Sequence, residues 1–279
     1  MTTRTKRWRR IAFNIGAWAV VLAIVFPLLW MILTSIKPQS ELFLIPPEIL
    51  PQEVTLEHYR RLLSETPFLV YMKNSVWLAT GTTLLVIVVA TLGAHSLVRF
   101  SFPGRETLAR MVLFTYLLPS VVLVIPLYFL MIKAGLANTL GSLVIVYTTF
   151  ALPYALWLLR SFMAAIPEDL EAAAMIDGAS RMRAFVDVLL PQALPGIIST
   201  ALFTAILAWN EYLFALVLIN SDEVRPLTTG VMSMLVTSFN IEWSLLMAAS
   251  VMMSLPLIIV FVFLQKFLTR GFGAGAIKG

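Results

Sequence analysis

Cysteine is absent from the 279 residues, which excludes a disulfide framework and any thiolate metal site. Histidine is nearly missing: His58 and His95 are the only two, too few for a histidine-rich metal centre. Charged residues make up 13% of the chain, against roughly 25% in soluble domains. No G-x-x-x-x-G-K-[S/T] phosphate loop occurs, so any ATP hydrolysis must come from another chain. H-E-x-x-H, G-x-S-x-G and a pair of intramembrane aspartates are also lacking, which removes the intramembrane hydrolases. There is no internal repeat and no inverted pair of broken apolar segments, which weakens a secondary-transporter reading.

What is plentiful is apolar sequence, 59% of the residues with a mean hydropathy of +0.90. A membrane span needs about 20 mostly apolar residues. Six stretches qualify, near 11–35, 75–97, 108–132, 140–159, 196–219 and 245–268, so the expected class is an all-α polytopic membrane protein with six transmembrane helices. The first is longer than a signal-peptide core and lacks a small-residue cleavage site near its end, so it reads as a retained helix. The chain then divides into a basic N-terminus (1–10), a first span (11–36), a loop (37–74), a five-helix core (75–268) and a C-terminal tail (269–279). The loop is proline-rich before a short amphipathic helix near Leu56–Leu63. It suits either a segment lying on the outer face or a plain linker.

The net charge of +5 reports orientation before it reports partners, and nothing points to nucleic acid. With the N-terminus inside, fourteen of the twenty Lys and Arg residues fall on the inner side. Both termini and the charged stretch Pro167–Pro195 are therefore expected in the cytoplasm of a cell bounded by this membrane. The turn Arg99-Phe-Ser-Phe-Pro-Gly-Arg105 reads as a corner on the same side. Outside, Asn220–Trp243 forms a second loop, long enough to reach a docked partner.

Pro167–Pro195 is the one long charged segment with a helical pattern. Pro167 suits a first helical turn, Glu168, Asp169 and Glu171 sit where the helix dipole favours negative charge, and Ala172, Ala173 and Ala174 add helix propensity with little bulk. Gly178 is placed to end the helix in a left-handed conformation, and a second helix near 182–190 is expected to stop at Pro191. The result is a slim knob able to enter another protein's groove, although an ordinary solvated loop fits the composition equally well.

Within the spans, Glu211 is the only acidic residue, and an intramembrane carboxylate needs an explanation. On a straight helix it would sit about 22 Å above Gly196, in the outer half of the bilayer. Trp209, Asn210, Glu211 and Tyr212 combine a flat ring, an amide and a carboxylate, a set suited to a polyhydroxylated solute. An interhelical contact explains Glu211 equally well, and a proton carrier in an ion-coupled transporter is the remaining alternative. Tyr116, Ser120 and Tyr147 are further candidates for the pathway, and Pro119 and Pro126 permit bending of the third span.

The knob resembles the cytoplasmic coupling loop of bacterial ABC importer permeases, with Asp177, Gly178, Ala179, Phe185, Leu190 and Pro191 matching in kind and spacing. One departure stands out: aligned on Asp177-Gly178, the family's glutamate position holds Ala172, with Glu171 one residue earlier, roughly 100° around the helix. Trp209-Asn-Glu-Tyr212, Tyr59, Asn74-Ser75 and the glycine-alanine tail are similar to the carbohydrate-uptake branch, most of all the smaller permease of maltose-type systems. The resemblance implies a type I ABC importer permease fold in a bacterial inner membrane. It also implies a heterodimer with a second permease, a homodimeric cytoplasmic ATPase that binds the ATP and Mg, and a periplasmic or lipid-anchored solute-binding protein. This chain would then bind no cofactor, its coupling helix would seat in an ATPase cleft, and Gly273, Ala274, Gly275 and Ala276 would reach the ATPase interface. Plain disorder accounts for such a tail equally well.

Orientation is directly testable in a chain without native thiols. Asp177→Cys is expected to react with a membrane-impermeant maleimide in inverted vesicles and not in intact spheroplasts.

Overall fold

A computed structural model describes residues 3–46, 48–235 and 241–273. Twelve α-helices occur among them: α1 Thr3–Ser35, α2 Glu57–Ser64, α3 Phe68–Arg99, α4 Arg105–Thr115, α5 Ser120–Lys133, α6 Leu140–Ala164, α7 Asp169–Ile176, α8 Arg181–Ala184, α9 Leu190–Asn210, α10 Leu213–Leu218, α11 Leu227–Leu235 and α12 Trp243–Gly273. Five unbroken stretches are long and apolar enough to cross a membrane: Phe13–Ser35, Phe68–Arg99, Leu140–Ala164, Arg181–Asn210 and Trp243–Gln265. Where the sixth span was expected, two apolar helices, α4 and α5, meet at 99° instead of forming one straight helix. The chain forms two compact units, one from residues 1–68 with 231–255, the other from 69–230 with 256–279.

In the first unit α1 runs straight out of the basic N-terminus, which is the start of the helix and not a separate segment. None of the residues in its most apolar stretch is buried by the protein itself. Past Ser35 the chain is held by specific bonds: Ser35 Oγ pairs with Tyr59 Oη at 2.7 Å, and the backbone carbonyl of Lys37 meets His58 Nε2 at 2.9 Å. Gln39 Oε1 accepts from the N–H of Ser244 at the start of α12 (3.1 Å), and Arg61 on α2 forks onto Glu242 at 2.7 and 3.2 Å. The loop expected over 37–74 is therefore a pinned segment. The next span also begins earlier than expected, at Phe68, because Leu69, Val70, Tyr71 and Met72 are apolar and Thr66 Oγ1 caps the N–H of Phe68.

The second unit is built on buried apolar stripes at four-residue spacing, half of whose members are alanine. Val86, Ala90 and Ala94 of α3 meet Ala151, Ala155, Leu159 and Met163 of α6 and Phe185, Leu189 and Ala193 leading into α9, all buried. Alanine at these positions lets helix backbones approach closely, which is how helices associate where lipid removes the hydrophobic drive. Gly196 belongs to the same logic, since a Cβ there would lie 2.5 Å from the Phe162 ring.

Three expectations are met only in part or need correction, each for a backbone reason. The bend expected in the third span falls at Pro119, which is extended (ψ 125°) ahead of α5, while Pro126 lies inside α5. Pro191 does not end a helix either. The Leu190 N–H reaches the Phe185 carbonyl across five residues, a π-turn that feeds Pro191 into the first turn of α9. Third, the loop expected over 220–243 is tied down at its start and contains α11, while residues 236–240 lie outside the described residues. Asn74 Nδ2 donates to the carbonyls of Glu223 and Arg225 (3.0 and 2.9 Å), Ser75 Oγ accepts the Leu227 N–H (2.7 Å), and residues 226–231 are buried.

The Arg61 hydrogen bond holds the Glu242 carboxyl below the ordinary carboxylate range, against a smaller opposing effect of burial. A lowered folded-state value means the clasp contributes fully above that range and is lost as pH falls through the lowered value. Glu242→Gln is expected to reduce stability at neutral pH by at most about 1 kcal/mol, the pair being partly exposed. Thermal melts of variant and wild type should converge in acid.

Candidate functional site

The knob is two helices around a left-handed glycine. Gly178 has φ +93°, its N–H donates to the Met175 carbonyl (3.1 Å), and the Ala179 N–H reaches back to Ala174 (3.0 Å). This paired closure satisfies the last carbonyls of α7 and commits the chain to a reversal. Ser180 then caps α8 by accepting the Arg183 N–H. Glu168, Ala172, Ala173, Asp177 and Gly178 are exposed, Ala174 and Ala179 half-buried, and Pro191 is exposed at the root of α9.

Glu171 differs from the other candidates. It is only 7% exposed and points into the protein, where its carboxylate accepts from Arg99 Nε and faces His95 Nε2 at 3.2 Å. Arg99 also donates to the Ile166 carbonyl (3.0 Å) and approaches Glu168 at 3.6 Å. The residue grouped with the outward coupling set is thus an inward anchor, and Arg99, read as a mere corner, is its partner. The 100° offset from Ala172 explains the difference: Ala172 occupies the exposed face, Glu171 the face against α3. Sequence reasoning had no signal for this pairing beyond His95 and Arg99 lying one helical turn apart. The outward face carries bare apolar side chains instead, with Ile176 87% exposed and Met175, Met182 and Val186 also uncovered.

The second constellation is a cleft of about 420 Å³ within the same unit. It collects Tyr116 and Ser120 from the break between α4 and α5, Tyr147 from α6, and Glu211, so four of the seven pathway candidates come together. Trp209, Asn210 and Tyr212 do not line it. Trp209 is buried, Asn210 donates its amide to the Ile206 carbonyl (2.8 Å), and Tyr212 is exposed elsewhere. The separation follows from a break: α9 ends at Asn210, Glu211 is extended (ψ 129°), and α10 restarts at Leu213. Neighbouring side chains therefore leave in different directions, and Glu211 is not on a helix as expected.

The Glu211 carboxylate accepts the N–H groups of Phe214 and Ala215 (3.0 and 3.3 Å), while its carbonyl accepts from Thr228 Oγ1 (2.9 Å). It closes the first turn of α10 and presents its remaining surface to the cleft. Tyr147 is fully buried, and it lines the cleft together with Glu211. Phe150 and Phe214, with ring centres 4.8 Å apart, also line the cleft. Phe150 was legible as the residue one turn beyond Tyr147 but was passed over. Gly273 is the last helical residue of α12; Ala274, Gly275 and Ala276 lie outside the described residues.

Removing one member of a buried ion pair strands the other, at a cost on the order of 3 kcal/mol. Glu171→Ala is expected to lower the thermal midpoint of the detergent-solubilised protein clearly, while Ala172→Glu, on the exposed face, leaves it nearly unchanged.

Residues 86–273 match the family described as binding-protein-dependent transport system inner membrane component. The trehalose/maltose transport system permease protein MalG of Thermococcus litoralis is 36% identical, with 97% of this chain and 98% of that protein covered. The diacetylchitobiose uptake system permease protein DasC of Streptomyces coelicolor is 34% identical over 97% of this chain and 98% of its own. In fold, the chain is similar to a subunit of a bacterial ABC transporter that imports the acidic polysaccharide alginate, at a TM-score of 0.83, 22% identity and coverage of 95% and 98%. These matches lead to one conclusion: the chain belongs to the inner-membrane permease components of binding-protein-dependent ABC importers, a transport family and not a catalytic one.

Proposed function

We propose that this chain is a permease subunit of an ATP-driven importer for a sugar or sugar-like solute. It lines the pathway together with a second permease, and it is moved by a cytoplasmic ATPase dimer that holds the ATP and Mg. A periplasmic or lipid-anchored binding protein delivers the solute. Both termini and the knob face the cytoplasm, as the distribution of Lys and Arg favours.

The observation that carries this reading is the construction of the knob. A short helix fastened on its inner face through Glu171, closed by Gly178 and bare of polar side chains at Met175 and Ile176 is a rigid handle with an uncovered apolar tip. Such a surface calls for a partner. Seated in an ATPase groove, it would pass a push through Arg99 and His95 to α3 and through the π-turn to α9. Ligand-driven alternation between two states then needs only a difference in affinity between them.

The cleft supports the sugar reading. Tyrosine, serine and threonine hydroxyls and aromatic faces line it, no Lys or Arg does, and Glu211 is its one carboxylate. That lining suits a neutral, hydroxyl-rich solute better than a phosphate or sulfonate. The sugar names carried by the two relatives agree. An ion-coupled transporter using Glu211 as proton carrier fits less well, because both carboxylate oxygens already serve backbone N–H groups.

Gly178→Val forces a β-branched side chain into left-handed backbone and opens the reversal. ATP-driven uptake in proteoliposomes holding the assembled transporter is expected to fall to background while the variant remains in the membrane. Full uptake by this variant, or uptake by the isolated chain without any ATPase, would overturn the reading.

A further inference from the structure

Residues 43–56 place Phe43, Ile45, Ile49, Leu50, Val54 and Leu56 in the open, with Ile45 95% and Leu50 69% exposed. The segment is not slack. Glu41 accepts the N–H groups of Gln52 and Glu53 (3.1 and 3.0 Å), Lys37 Nζ donates to the Glu48 carbonyl (2.6 Å), and Gln52 Nε2 bonds Glu48 Oε1 (2.6 Å). Pro46, Pro47 and Pro51 bring no N–H donor that would need a partner. Polar groups thus tie the segment to itself and to Lys37 and Glu41 while the large apolar side chains face outward, the reverse of a loop built for water.

The position of the segment says what covers it. It follows directly on α1, whose most apolar stretch has no residue buried by the protein. Its far end returns to the same place, because the Thr55 N–H donates to the Ile36 carbonyl at 2.9 Å. Both ends are therefore held beside the C-terminal end of α1, and the bonds of Glu48, Gln52 and Glu53 to Lys37 and Glu41 keep the middle close to it. No Lys or Arg lies between Lys37 and Arg60, whereas Glu41, Glu48, Glu53 and Glu57 do, so the segment offers nothing to an anionic headgroup.

We propose that residues 43–56 are a membrane-interface wedge, its apolar side chains seated at the headgroup–acyl boundary of zwitterionic lipid beside α1. An apolar surface at that depth gains by leaving water without crossing the bilayer. The wedge would fix the height and tilt of α1 and does not depend on which solute is carried.

The test uses the absence of native cysteine. Ile45→Cys and, independently, Leu50→Cys in the full-length chain are labelled with an environment-sensitive fluorophore and placed in phosphatidylcholine nanodiscs. Glu53→Cys on the same segment serves as the water-facing reference. The Ile45 and Leu50 probes are expected to emit at shorter wavelength than the reference and to lose about half their intensity to lipid brominated near the headgroup, as insertion at the acyl boundary requires. Quenching of these probes by aqueous iodide as strong as at residue 53 would overturn the proposal. So would probes that become shielded only after a second permease or a binding protein is added, since a protein would then be the occupant.

Discussion

The buried contact between Glu171 and the Arg99–His95 pair decides how the rest of the second unit is arranged. A carboxylate taken out of water must be compensated, and here a guanidinium and an imidazole from one turn of α3 do so. That requirement fixes the inner face of α7, and with it which residues remain outside. Ala172 and Ile176 are presented because Glu171 is held. The carbonyl of Ile166, also bound by Arg99, pins the entrance to the knob at the end of α6. One cationic side chain thus gathers α3, α6 and α7, and whatever moves the knob moves that junction.

Elsewhere the architecture is set by interrupted helices. α4 and α5 meet at 99° ahead of Ser120, and α9 stops at Glu211, just past the apolar stretch that ends at Asn210. Both breaks free backbone groups, which must then find partners in protein or water. Both breaks border the same cleft, and each supplies a residue to it: Tyr116 and Ser120 from the first, Glu211 from the second. The π-turn ahead of Pro191 works differently, since it spends no polar group and keeps a helix running from Arg181 to Asn210.

Much of this was readable from residue order, and the misses share one cause. Apolar runs located the spans, because hydrocarbon thickness leaves little choice of length. Gly178 was identified as a left-handed closure because few other residues take that backbone cheaply. Side-chain direction was harder. Trp209, Asn210, Glu211 and Tyr212 looked like one constellation while they were assumed to share a continuous helix, and a two-residue break scattered them. Glu171 looked like an outward group because its neighbours are outward; the residues that claim it, His95 and Arg99, lie more than seventy positions earlier. Proline marked where bends were allowed without showing which proline would use the freedom. Pro119 did, while Pro126 and Pro191 were absorbed into helices.

The Arg61–Glu242 clasp carries a consequence for biosynthesis. Its partners are 181 residues apart, and the unit they close is discontinuous in the chain, whereas residues 69–230 form one continuous stretch of the other unit. Long-range closures form late because loop entropy must be met first. At ordinary translation rates the N-terminal segment waits roughly 10 to 35 s for Glu242 to be made. During that interval α1 and α2 lack the contact that completes their unit. An insertase or chaperone that attends this protein has its longest engagement there, with the first helix made and the last to be secured.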